Sequence, residues 1–202
     1  MKSLIEDIIA LEWIEFQKVN NEGGRASCQD NWAGFQIFRR SQFLAWDHET
    51  LESYFKDLNS AIYNGRNLLT EKYARMMEKT APEDYQTIKN DLPPITGEKE
   101  KLIEAISQIN IRWAEEFSQK YPKISGRGRP IHTYEDGPYD TSIETYIRGE
   151  ISTYSENTLK LYYKHISQLL GNNKNLTEMI MENTVREYGY ISLDQAEKSI
   201  AQ

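Results

Sequence analysis

WDHETLESYFKDLNSAIYNGRNL, residues 46–68, returns 108 residues later as YSENTLKLYYKHISQLLGNNKNL, residues 154–176. Thr50 falls on Thr158, Leu51 on Leu159, Tyr54 on Tyr162 and Lys56 on Lys164, while Asn64, Asn67 and Leu68 fall on Asn172, Asn175 and Leu176. Phe55/Tyr163, Leu58/Ile166, Ile62/Leu170 and Arg66/Lys174 are close substitutions. In both copies apolar residues recur every three or four positions, the spacing of one helical face. Shared spacing accounts for matched apolar positions but not for identical polar residues in the turns that follow. The comparison predicts an all-α chain of two distantly similar helical halves, packed about a pseudo-twofold axis as one globular unit.

The correspondence extends outward. Arg40 falls on Arg148, Thr80-Ala81-Pro82-Glu83 on Ser192-Leu193-Asp194-Gln195, Glu15-Phe16 on Glu116-Phe117, and Gly24-Arg25 on Gly126-Arg127. Helix signals fill both halves. Ser3-Leu4-Ile5-Glu6 and Thr141-Ser142-Ile143-Glu144 read as capping boxes, in which a hydroxyl and a carboxylate satisfy free amides at a helix start. Asp47 and Asn67 read as caps, Gly65 as the left-handed residue that closes a helix, and Pro82 as a first-turn proline. The halves divide at Leu92–Gly97 (LPPITG), giving 1–92 and 98–202 as parts of one compact domain. A long helix is predicted over about 98–121, and others over about 142–153, 156–170 and 176–188. Pro122–Asp140 reads as a long irregular segment, a feature often tied to function. No segment alternates as a strand would.

Composition narrows the partners. Hydrophobic residues make up 39% and charged residues 27% of the 202 positions, enough apolar content to bury a core. Twenty-four Lys and Arg against 31 Asp and Glu leave a net charge of −7, which argues against binding nucleic acid or an anionic membrane over a broad surface. No apolar run approaches the roughly 20 residues that cross a bilayer. Glu6 and Asp7 fall where a secretory leader would be apolar, and Cys28 is the only cysteine. A cytoplasmic location is predicted.

Three segments carry candidate chemistry. In Asn20–Gln29 (NNEGGRASCQ), glycines let backbone amides approach a ligand, Arg25 offers a planar fork for an anion, and Cys28 stands near a helix start. A polar interhelical loop holding a structural cysteine is the competing reading. Ser125–Pro130 (SGRGRP) concentrates Arg127 and Arg129 in an acidic chain, either to hold an anion or to pair with local carboxylates. Glu135–Ser142 (EDGPYDTS) brings acids and hydroxyls close to the arginines, although helix capping by Asp140 and Thr141 is the simpler role. His48, His132 and His165 lie far apart, and Glu12 and Glu15 read as solvated, so no metal site and no cofactor is expected.

The segments NNEGGRASCQ, GRNLLTEKYARMME, LPP, SGRGRP and PYDTSIETYIRGE together resemble the bacterial proteins of domain-of-unknown-function family 4125, nearly end to end. The resemblance implies a bacterial helical protein and carries no activity or catalytic residue with it. The expected function is recognition, with or without turnover, of a small anionic or polar metabolite in a cleft between the halves. Arg25, Arg127 and Arg129 would supply charge, with Cys28, Gln29, Tyr139 and Asp140 nearby. The alternative is a non-enzymatic module whose acidic helical surface binds another protein. Far-UV circular dichroism should show strong helical minima with negligible strand; a sheet-dominated spectrum would refute the reading.

Overall fold

A computed structural model describes residues 2–20, 24–137 and 140–200. Eleven α-helices run through them: α1 (Lys2–Phe16), α2 (Trp32–Phe43), α3 (His48–Tyr63), α4 (Leu68–Thr80), α5 (Pro82–Ile88), α6 (Gly97–Lys120), α7 (Pro122–Ser125), α8 (Ile143–Ile151), α9 (Glu156–Gly171), α10 (Leu176–Glu187) and α11 (Leu193–Ser199). There is no strand among the described residues.

Side-chain caps set many of the boundaries. Asp47, Asn67, Ser155, Asn175 and Ser192 accept backbone amides at the starts of α3, α4, α9, α10 and α11, which satisfies donors that the helix itself leaves free. Gly65 closes α3 with φ +71°. Three local expectations change. Ser3 is not the cap of α1, since the helix already includes Lys2. The cap of α8 is Ser142, with Asp136 receiving the Ser142 amide at 2.6 Å, rather than Asp140 or Thr141. Pro122–Asp140 is not structureless, because it contains α7 and a 3-10 turn over Thr133–Glu135.

The helices on either side of residues 92–96 share one hydrophobic core. Ile5, Ile8, Phe43, Leu51 and Leu58 pack with Ile106, Trp113, Leu159, Ile166 and Leu176 in a single cluster. Helix α1 lies against α2, α3 and α4, as α6 lies against α8, α9 and α10; α2 packs on α10, α4 on α8 and α3 on α9. The α4–α8 crossing depends on Gly149, where an added Cβ would stand 2.7 Å from Met76 Cγ and 3.0 Å from the Lys72 carbonyl oxygen.

Close packing of α4 and α8 brings a set of buried charges together. Glu12 is 0% exposed, Arg39 3%, Lys72 2% and Glu150 6%. Arg39 forks onto Glu12 (Nε to Oε2, 2.6 Å) and gives Nη1 to Glu150 Oε1 at 2.9 Å. Lys72 Nζ meets Glu150 Oε2 at 2.6 Å. Tyr54 donates to Glu12 at 2.6 Å, Tyr154 to Glu150 at 2.9 Å, and Gln42 bonds to both Arg39 and Glu150. Two carboxylates thus balance two cations. Glu12 and Glu15 are therefore not solvated as their spacing implied: Glu12 anchors this network, and Glu15 is buried with Lys18 Nζ 2.6 Å from its carboxylate.

Burial alone would raise the Glu150 carboxyl, but Arg39 and Lys72 outweigh it and hold it far below the usual carboxylate range. A depressed folded-state value contributes stability above the unfolded value, about 4.3, and that contribution is lost as pH falls through the folded value. Glu150→Gln leaves two buried cations short of a counter-charge and should cost roughly 3–5 kcal/mol in denaturant unfolding at pH 7. The deficit relative to wild type should narrow below about pH 4. An unchanged midpoint at neutral pH would contradict the network's role.

Candidate functional site

Two pockets open beside the network, and they share a wall. The first, about 410 Å³, lies between α2, α4 and α8; Phe16, Phe35 and Phe38 give it an aromatic side, and Cys28, Asn31, Arg39, Lys72 and Arg129 supply polar groups. The second, about 320 Å³, lies between α2, α6, α8 and α10, with Trp46, Ile147, Tyr162, Ile180 and Met181 among its walls. Phe38, Tyr146 and Arg129 line both. The Phe38 and Tyr146 rings meet edge-on, centroids 6.5 Å apart. Both pockets fall in the size range of small-molecule sites.

Tyr146 is held by cations. Lys72 Nζ stands 3.6 Å from its ring centroid and Arg129 Cζ 5.0 Å, in reach of the negative face of the ring. Burial, reinforced by Glu150, pushes the Tyr146 phenol up, and burial does the same to Tyr73. Both phenols therefore stay protonated at neutral pH and can donate hydrogen bonds, but neither is a ready base. No histidine lines either pocket, and among the described residues no group of three His, Cys, Asp or Glu side chains is placed to hold a metal.

Arg129 differs from the other cations here. It is exposed, donates Nη1 to the Thr141 carbonyl oxygen at 3.1 Å, and has no carboxylate within ion-pair distance among the described residues. The network beneath it is already balanced, so Arg129 leaves the shared wall with one uncompensated positive charge.

The other sequence candidates divide sharply. Cys28 sits on the 3-10 turn Ser27–Asp30 and lines the first pocket. Gln29 is buried, and its side-chain amide donates to the Phe16 and Val19 carbonyl oxygens at 2.9 and 3.0 Å, fastening the turn to the end of α1. Arg25 is half-exposed; it pairs with Asp30 at 2.8 Å and bonds to Gln17 and the Gln29 carbonyl oxygen, so it closes its own loop. Gly24 makes that turn with φ +85°. Arg127 is exposed and lines neither pocket. The structure thus does not bring Arg25 and Arg127 into one desolvated cleft. Asp140 is exposed, and its carbonyl oxygen receives the Gly137 amide at 2.8 Å. Tyr139 lies outside the described residues.

Arg39, Lys72, Tyr146 and Glu150 escaped the sequence reading. The available signal was a charge inside an apolar stripe: Glu12 continues Ile5, Ile8 and Ile9, Arg39 falls between Phe35 and Phe43, and Lys72 follows Leu68 and Leu69. Charges at such positions must find partners when the stripe is buried.

No curated protein and no solved structure matches this chain. A family model described as "Protein of unknown function (DUF4125)" matches residues 2–198. With nearly the whole sequence covered, the chain belongs to the DUF4125 family.

Proposed function

We propose that the protein recognises a small anion at the wall shared by the two pockets, with Arg129 as its principal contact. The uncompensated charge of Arg129 carries this reading. Glu12 and Glu150 are already occupied by Arg39 and Lys72, so an anionic oxygen is the group that completes the charge balance at the wall. Turning toward a ligand costs Arg129 one hydrogen bond to a backbone oxygen and its place over the Tyr146 ring. Contacts from its planar fork to an anion are each worth about 1.5–3 kcal/mol. Cys28, Asn31 and Lys72 line the volume beside it. Arg25, Gln29 and Asp140 enter this reading as supports of the loops rather than as ligand contacts.

We also infer that the two halves arose by duplication, which would set this wall on a pseudo-twofold axis. Positions 108 apart occupy corresponding places: Phe38 and Tyr146 at the wall, Gln42 and Glu150 in the network, Trp46 and Tyr154 in the core. Asn67 gives its side-chain amide to the Glu15 carbonyl oxygen at 2.8 Å, and Asn175 gives its own to the carboxylate of Glu116, the residue set on Glu15, at 3.2 Å. The reciprocal pairing of α2 with α10 and α4 with α8 supports the same reading. In an experimental structure α3–α4 should superpose on α9–α10; a different crossing direction would contradict it.

The anion reading is tested by calorimetry with small carboxylates and phosphates at constant ionic strength. The wild type should bind at least one class. Arg129→Lys keeps the charge but loses the fork, and should weaken binding about tenfold. Unliganded stability should move by no more than about 0.5 kcal/mol, as expected at an exposed position. Equal binding by both proteins, or none by the wild type, would overturn the reading and favour a protein-binding module.

A further inference from the structure

We infer that the apolar pocket between α2, α6, α8 and α10 takes the hydrocarbon portion of the same ligand, so that the ligand class is a small amphipathic acid. The inference rests on the anion-binding reading of Arg129 and adds the chemistry of the rest of the molecule. Its first support is continuity. Arg129 and Tyr146 belong to both pockets, so a molecule whose anionic end meets Arg129 stands at the mouth of the apolar one.

The second support is that the carboxylate and the side-chain amides lining this pocket are already engaged. Glu150 receives Arg39, Lys72, Gln42 and Tyr154. Gln42 also accepts from Arg39, and Asn110 donates to the Ile106 carbonyl oxygen at 2.8 Å. A ligand body entering here meets mainly the apolar side chains of Ile147, Ile151, Ile180 and Met181, with Trp46 Nε1 a buried donor that has no partner among the described residues. Such a lining offers a polar body few partners in exchange for its water, whereas a hydrocarbon gains by leaving water.

Charge sets the orientation. Glu150 lines the inner pocket with its charge already matched by Arg39 and Lys72, whereas the uncompensated positive charge stands at the wall. An anionic head finds no free cation in the interior and is drawn to Arg129, which leaves the chain to point inward. A cationic or zwitterionic ligand would not be sorted in this way.

The test is a homologous series of straight-chain carboxylates, from acetate to octanoate, titrated calorimetrically into the full-length wild type below their micellar concentrations. Affinity should rise about three- to fourfold for each added methylene, the equivalent of about 0.8 kcal/mol per buried group, and level off once the pocket is full. Octanoate should shift the methyl resonances of Ile147, Ile180 and Met181 in the same protein, which gives a readout without any substitution. Met181→Phe, which fills the pocket, should flatten the series while leaving the response to acetate. If short carboxylates bind and lengthening them changes neither affinity nor those methyl signals, the amphipathic class is wrong and the anion site stands. If no carboxylate binds at any length, the Arg129 reading falls and this inference falls with it. Hexanol binding as tightly as hexanoate would also overturn it, since the head would then contribute nothing.

Discussion

The contact on which the rest of this molecule depends is the buried pairing of Arg39 with Glu12 and Glu150. Glu12 stands on α1, Arg39 on α2 and Glu150 on α8, so one guanidinium ties the first two helices to α8, 111 residues further along. Removing a charge of this kind from water is costly, and the cost is offset only when geometry and hydrogen bonding are both complete. Here they are: the carboxylate of Glu150 is shared among Arg39, Lys72, Gln42 and Tyr154, and that of Glu12 between Arg39 and Tyr54. A packing of the halves that shifted α8 along α4 would strand Lys72 from Glu150. The network therefore penalises other packings of α8 on α4, since a buried charge without its partner is costly.

The same constraint shapes the cavities. Gly149 lets α8 approach α4 closely enough for Glu150 to reach Lys72. Tyr146, one turn earlier on α8, is then fixed against Lys72 and faces Phe38. The pockets on either side of that wall differ in character because their neighbours differ: Lys72 and Asn31 on one side, Ile180 and Met181 on the other.

Much of the fold was legible in the sequence. The helix from Asp47 to Asn64 declares itself through its cap, its apolar spacing and its closing glycine, and the helix over about 156–170 through its apolar spacing, all of which act within a few residues. The site was less legible, because its decisive contacts are long-range. A glutamate such as Glu12 on an amphipathic helix has the local signature of a solvated residue, and only its place in the Ile5–Ile8–Ile9 stripe hints that it is covered. Arg25 misled for the opposite reason. Its glycine-flanked loop has the appearance of a ligand-binding turn, yet Asp30, Gln17 and the Gln29 carbonyl oxygen satisfy the guanidinium locally. Arg129, from a similar-looking segment, meets the Thr141 carbonyl oxygen and the Tyr146 ring but no carboxylate among the described residues, and stands at the pocket wall.

Under the proposed function, the Arg129 charge at the shared wall awaits an anion. A crystal structure of the protein soaked with hexanoate tests it most directly. The account predicts carboxylate density within hydrogen-bond distance of the Arg129 guanidinium, with the alkyl chain running between Phe38 and Tyr146 toward Ile180. Density only at Arg25 or Arg127, with Arg129 still on the Thr141 carbonyl oxygen and both pockets filled by water, would contradict it.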